Sequence, residues 1–132
     1  MSYKFDSNAR YAQSHEWARV EGDLVVVGIS DYAQHSLSDV VFVELPPLGA
    51  AVSAAKAAAV VESVKAAEDV ISPISGEVVA VNDELAANPE AVNSDPYGSW
   101  FYKVRPSALA ELDKLMAAAD YEAFVAAQEA AG

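Results

Sequence analysis

One lysine, Lys65, stands at the centre of Ala59-Val60-Val61-Glu62-Ser63-Val64-Lys65-Ala66-Ala67-Glu68-Asp69-Val70-Ile71, with acids at Glu62, Glu68 and Asp69. An amine is a nucleophile towards activated acyl groups. The small and β-branched residues on both sides predict two strands, over about 57–71, meeting at a tight turn. That arrangement puts Lys65 at the tip and sets the carboxylates back on either flank. An amine held out on a stiff hairpin is badly placed to support a core and well placed to be handled by another protein. The spacing therefore predicts a carrier that offers Lys65 for covalent modification.

Other chemistry-bearing residues make weaker cases. His15-Glu16-Trp17 is not the His-Glu-x-x-His zinc pattern, and the chain has two histidines and no cysteine, too few soft ligands for a zinc site. A small enzyme built on Glu16, Asp69 and a histidine is the rival class, and it requires turnover by the unmodified chain. The competing reading of Glu16 is a solvated strand-edge acid, and Trp17 is most simply a core or cleft-wall aromatic.

Composition narrows the partners. The 132 residues carry a formal net charge of −12, which disfavours nucleic acid and anionic membrane surfaces and favours partners with basic docking surfaces. The lack of cysteine removes disulfides and fits a reducing compartment. No apolar run approaches a membrane span, and Met1-Ser2-Tyr3-Lys4-Phe5-Asp6 has no signal-peptide core. A soluble, cytoplasmic protein is expected.

The elements that must position Lys65 are mainly strands, within one domain over 1–132. Trp17 to Ile29 predicts a hairpin turning at Gly22, and Ser30 caps a short helix near 30–38 with Tyr32, Ala33 and Leu37 on its apolar face. Val40 to Leu45 is a strand broken by Pro46-Pro47. Alanines around Ala57 favour helix, yet the valine spacing and the punctuation at Pro73 and Gly76 favour strands. Glu77 to Asn82 and Trp100 to Arg105 are further strands. The segments Asn88-Pro89 and Asn93 to Gly98 have turn chemistry. A helical cover is expected over about 107–130. Its first helix is capped by Ser107 with Leu109, Leu112, Leu115 and Met116 as its stripe. Its second is capped by Asp120 with Phe124 and Val125 inward, and the tail beyond is expected to fray.

With these residues in view, the chain resembles the H proteins of the glycine cleavage system, a family of lipoyl carriers. The resemblance runs in order through Tyr11-Ala12-Gln13-Ser14-His15-Glu16-Trp17, Val27-Gly28-Ile29-Ser30-Asp31-Tyr32-Ala33-Gln34 and Val40-Val41-Phe42-Val43-Glu44-Leu45-Pro46. It continues through Val61-Glu62-Ser63-Val64-Lys65-Ala66, Pro73-Ile74-Ser75-Gly76-Glu77-Val78 and Val92-Asn93-Ser94-Asp95-Pro96-Tyr97-Gly98. One block is weak; six in order are strong. Biotin domains usually flank their lysine with methionine. Lipoyl domains of the 2-oxoacid dehydrogenases resemble Glu-Ser-Asp-Lys-Ala and lack the His-Glu-Trp opening.

The resemblance implies a sandwich of antiparallel sheets, a barrel-sandwich hybrid of the biotinyl and lipoyl kind, with C-terminal helices added. It implies lipoic acid in amide linkage on Lys65. It implies a non-catalytic shuttle between a pyridoxal-phosphate glycine decarboxylase (P protein), a tetrahydrofolate-dependent aminomethyltransferase (T protein) and dihydrolipoamide dehydrogenase (L protein). Ser14, Glu16 and Asp69 match positions that hold the aminated arm in a cleft. Glu62 and Glu68 fall where a lipoyl ligase or transferase would read charge. Some relatives have a histidine at the position of Ser36; here the histidine is His35, one place earlier, and should point elsewhere. An H-like lipoyl carrier or relay protein serving another lipoate-dependent pathway would share most of these features.

Overall fold

The computed structural model describes residues 2–131. Its strands are β1 (Arg10–Tyr11), β2 (Glu16–Glu21), β3 (Leu24–Ile29), β4 (Val40–Glu44), β5 (Ala51–Val52), β6 (Ala57–Ser63), β7 (Ala67–Ile71), β8 (Gly76–Val81), β9 (Tyr102–Pro106) and β10 (Met116–Ala117). They form a seven-stranded sheet in the order β10-β1-β2-β3-β9-β8-β5 and a three-stranded sheet in the order β4-β6-β7, with every pairing antiparallel. The helices are α1 (Asp31–Leu37), α2 (Asp83–Ala87), α3 (Ala91–Ser94) and α4 (Ala118–Ala131), with a 3-10 helix over Leu109–Lys114. This is the expected mainly β architecture of paired antiparallel sheets.

The β2–β3 hairpin turns at Gly22, whose φ of 61° lies in the left-handed region that glycine enters without a Cβ penalty. Strand β3 reads Leu-Val-Val-Val-Gly-Ile without alternation because both of its faces are covered. Val25, Val27 and Ile29 join the main core with Val61, Val70, Ile74 and Val104. Val26 faces the other way, into a second cluster with Tyr11, Trp17, Tyr121 and Val125. Tyr11 and Tyr121 stack there with ring centroids 4.2 Å apart, fastening α4 to the outside of the large sheet.

Several expectations are corrected. The segment after Pro106 forms a 3-10 helix whose N-cap is Ala108 with no side-chain cap, so Ser107 does not start it. Only Leu112 of the expected stripe is buried, and Leu109 is exposed, because the chain turns extended at Leu115 to pair β10 with β1. Helix α4 begins at Ala118, which places Asp120 in its first turn, where an acid favours the positive end of the helix dipole. Tyr121 and Val125 are its buried residues while Phe124 is half-buried, and the tail expected to fray is helical to Ala131. Two short helices are unexpected: α2, capped by the Asn82 side chain just after β8, and α3, which overlaps the turn chemistry beginning at Asn93.

Gly28 lies opposite Trp17 in the register, and a Cβ there would fall 2.5 Å from the ring. Trp17 is fully buried and donates from Nε1 to the Pro96 carbonyl at 3.2 Å, so it cannot swing aside. We expect Gly28→Ala to cost ~2–3 kcal/mol by overpacking, read as a lower urea midpoint at unchanged m-value.

Candidate functional site

Strands β6 and β7 pair through Glu62 and Ala67, leaving Val64, Lys65 and Ala66 as the turn. Ser63 organises it. Its N–H donates to the Ala66 carbonyl at 2.8 Å, and its hydroxyl oxygen accepts from the N–H groups of Lys65 and Ala66, each at 3.1 Å. The Val64 N–H donates to the Asp39 carbonyl at 3.0 Å, tying the tip to the approach to β4. Lys65 is exposed at the apex, as the hairpin pattern predicts.

The flanking acids do not grip it. The Lys65 ammonium donates to the Ser36 carbonyl at 2.8 Å. That oxygen lies in the last turn of α1, where helical carbonyls lack internal partners and carry the negative end of the dipole. Among the described residues no ion pair joins Lys65 to a carboxylate. Pairing explains this for Glu62, which sits opposite Phe42 and Ala67 and not towards the amine. His35 packs against Tyr3 at 5.5 Å, away from Lys65, and it is the backbone of Ser36 that meets the amine.

Beside the hairpin lies a cleft of about 310 Å³. Ile29, Ala33, Leu37, Val61 and Val70 line it with apolar surface, and Ser14, Glu16, Lys65, Glu68 and Asp69 bring polar groups to it. The structure thus gathers four of the candidate residues, Ser14, Glu16, Glu68 and Asp69, around the space next to Lys65. Glu62 stands outside it. Ser14, Glu68 and Asp69 are exposed, whereas Glu16 is buried.

Glu16 is no solvated edge acid. One carboxylate oxygen accepts from the Ser14 hydroxyl and the other from the Ile71 N–H at 2.9 Å. Ile71 belongs to β7, an edge strand whose outward N–H groups have no neighbouring strand. The contact joins the large sheet to the small one. Burial pushes the Glu16 carboxyl up to about 7, against the opposing pull of its hydrogen bonds.

His15, with φ 80°, occupies the left-handed region disfavoured for residues with a Cβ. Its Nδ1 lies 2.7 Å from the Tyr121 hydroxyl, which is also 2.7 Å from the Ser30 hydroxyl that caps α1. Burial lowers the His15 pKa. His15 thus helps lock α4 to α1, the helix that forms one wall of the cleft. Sequence reasoning missed the roles of His15, Ser63, the Ser36 carbonyl and the Ile71 N–H. Only Ser63 had a local signal, a hydroxyl placed just before a tight turn.

Paired antiparallel sheets that present one lysine at an exposed hairpin tip beside a half-apolar cleft define a carrier domain of the biotinyl and lipoyl kind. The family model for the glycine cleavage H-protein matches residues 9–128. The glycine cleavage system H protein 2 of Pseudomonas aeruginosa is 63% identical over 120 residues, which is 90% of this chain and 93% of that protein. The glycine cleavage system H protein of Saccharophagus degradans is 55% identical over 121 residues, with 90% and 93% covered. A crystal structure of a glycine cleavage system H protein from Mycobacterium marinum superposes with a TM-score of 0.81 at 39% identity, covering 88% of this chain and 94% of that one. The chain belongs to the glycine cleavage H-protein family, the non-catalytic lipoyl carriers of the glycine cleavage system.

Two consequences of the site geometry are measurable. A Glu16 carboxyl near 7 in the fold and near 4.5 in the unfolded chain keeps its proton longer in the native state. Stability from this group is therefore full below about pH 4.5, falls as pH rises, and levels off above about 7, a loss on the order of 3 kcal/mol. Urea unfolding of Glu16→Gln across that interval should lack this slope; an unchanged slope assigns it elsewhere. In Ser63→Ala, amide exchange at Lys65 and Ala66 should speed up while global stability drops by about 1 kcal/mol or less.

Proposed function

We propose that this chain, acting as one domain over 1–132, carries lipoic acid in amide linkage on Nζ of Lys65. The observation that carries the reading is the exposed Lys65 amine on a turn pinned by Ser63, beside a cleft with apolar walls and acceptor groups. When bound, the group supplies a dithiolane that takes the aminomethyl unit of glycine on sulfur and then gives up electrons as a dithiol. The partners in this reading are glycine decarboxylase (P protein), aminomethyltransferase (T protein) and dihydrolipoamide dehydrogenase (L protein), met in the cytoplasm. No described helix is long and apolar enough to cross a membrane.

Each residue then has a distinct part. Acylation removes the Lys65 charge and with it the ammonium contact to the Ser36 carbonyl. Ile29, Leu37, Val61 and Val70 exclude water from whatever lies in the cleft. Ser14, Glu16 and Asp69 are the groups proposed to receive a cationic amine there by charge-assisted hydrogen bonds. A carboxyl poised near 7 suits this, because an arriving cation favours its ionised form. Glu62 and Glu68 are proposed as the charge pattern read by the lipoyl ligase or transferase before acylation.

Intact mass after expression with lipoate should rise by one lipoyl group, and peptide mapping should put it on Lys65. Lys65→Ala should abolish modification and loading while shifting stability by no more than about 0.5 kcal/mol, as exposed-tip changes do. Modification at another lysine, or none in a competent host, overturns the assignment.

A further inference from the structure

The register of β7 separates its two acids. Glu68 lies directly opposite Val61, and Val70 lies two residues on, so these three share one face of the small sheet. Val61 and Val70 are buried at 2% and 1% exposure, so that face is the one turned to the core and cleft. Asp69 lies opposite Val60 on the other face and borders the cleft from the sheet's edge. Glu68 borders the same cleft as Ser14, Glu16 and Lys65. Among the described residues it has no ion-pair or side-chain hydrogen-bond partner. Both oxygens of Glu16, by contrast, already accept bonds from Ser14 and Ile71. Among the described residues Lys65 is the one Lys or Arg side chain lining the cleft, and acylation would neutralise it.

From this geometry we infer that Glu68 is a cargo-binding residue: once Lys65 is acylated, its unengaged carboxylate receives the primary ammonium at the end of the loaded arm. The inference rests on the lipoyl reading above and deepens it, giving Glu68 a task after modification as well as before. Its consequence is selective retention. A cationic end is held in the cleft and a neutral dithiolane is not. Retention matters because the cargo is hydrolysable. Water forms a bond to the methylene carbon as the carbon–sulfur bond breaks, its electron pair returning to sulfur, which takes a proton from the water. The hydroxymethylammonium left behind then breaks its carbon–nitrogen bond, the hydroxyl proton passing to nitrogen, and gives formaldehyde and ammonium.

The test uses lipoylated protein, separated from unmodified chain by anion exchange and loaded from glycine by the decarboxylase. Formaldehyde release is followed in the wild type, Glu68→Gln, Glu16→Gln and, at an exposed acid outside the cleft, Glu84→Gln. Glu68→Gln should lose cargo about two- to fivefold faster, the range for a partly exposed ion pair, and Glu84→Gln at the wild-type rate. Added salt should accelerate loss in the wild type and much less in Glu68→Gln. In protein labelled with ¹³C-glutamate, the Glu68 side-chain carboxyl signal should move on loading and stay in place for the unloaded arm. If Glu16→Gln speeds cargo loss and the Glu16 signal moves while Glu68 does neither, the cleft reading stands and this inference fails. If none of Glu16, Glu68 and Asp69, the last tested as Asp69→Asn, responds, the cleft reading fails with it.

Discussion

The bond from the Ile71 N–H to the buried Glu16 carboxylate is the constraint on which the site depends. An edge strand such as β7 leaves backbone donors unpaired, and a bare edge invites pairing with another chain. Here a side chain from the first residue of β2 takes one of those donors, so the two sheets meet through a polar contact made by a residue that lines the cleft. Burying a carboxyl is costly unless its oxygens are engaged. Engagement by Ser14 and Ile71 keeps Glu16 in place, while burial leaves it near 7 and so responsive to a neighbouring charge. One contact therefore aligns the hairpin with the cleft and sets the cleft's electrostatics.

Rigidity and mobility are divided along the hairpin. Its base is packed through Ala59, Val61 and Val70, all buried. Its tip is held by backbone and Ser63 hydrogen bonds that need no burial. A carrier benefits from this division, because the attachment point stays fixed relative to the cleft while only the attached arm moves. The Lys65 contact with the Ser36 carbonyl is different in kind. It is a single exposed hydrogen bond to a helix end, readily exchanged for water, and it leaves the amine accessible.

The cleft also depends on parts remote from it. Helix α1 forms one wall, and its cap Ser30 shares the Tyr121 hydroxyl with His15. Helix α4, carrying Tyr121, stacks on Tyr11 across the outer face of the large sheet. The C-terminal helix is thus more than a cover. It stabilises the left-handed backbone at His15, which lies between Ser14 and Glu16.

Local pattern in the sequence determined most of the strands, the helix capped by Ser30, and the hairpin with Lys65 at its apex. These follow from β-branched runs, from the caps and turn residues that bound them, and from side-chain periodicity, which act over a few residues. The family resemblance likewise marked Ser14, Glu16 and Asp69 as candidates. Only the tertiary structure decided that Glu16 is buried, that Glu68 shares a face with Val61 and Val70, and that the Lys65 amine meets a helix carbonyl instead of an acid. It also decided that Leu109–Lys114 winds as a 3-10 helix and that Tyr121 anchors α4. Burial, strand register and backbone partners arise between segments far apart in the chain, and no local pattern encodes which of two neighbouring acids turns inward.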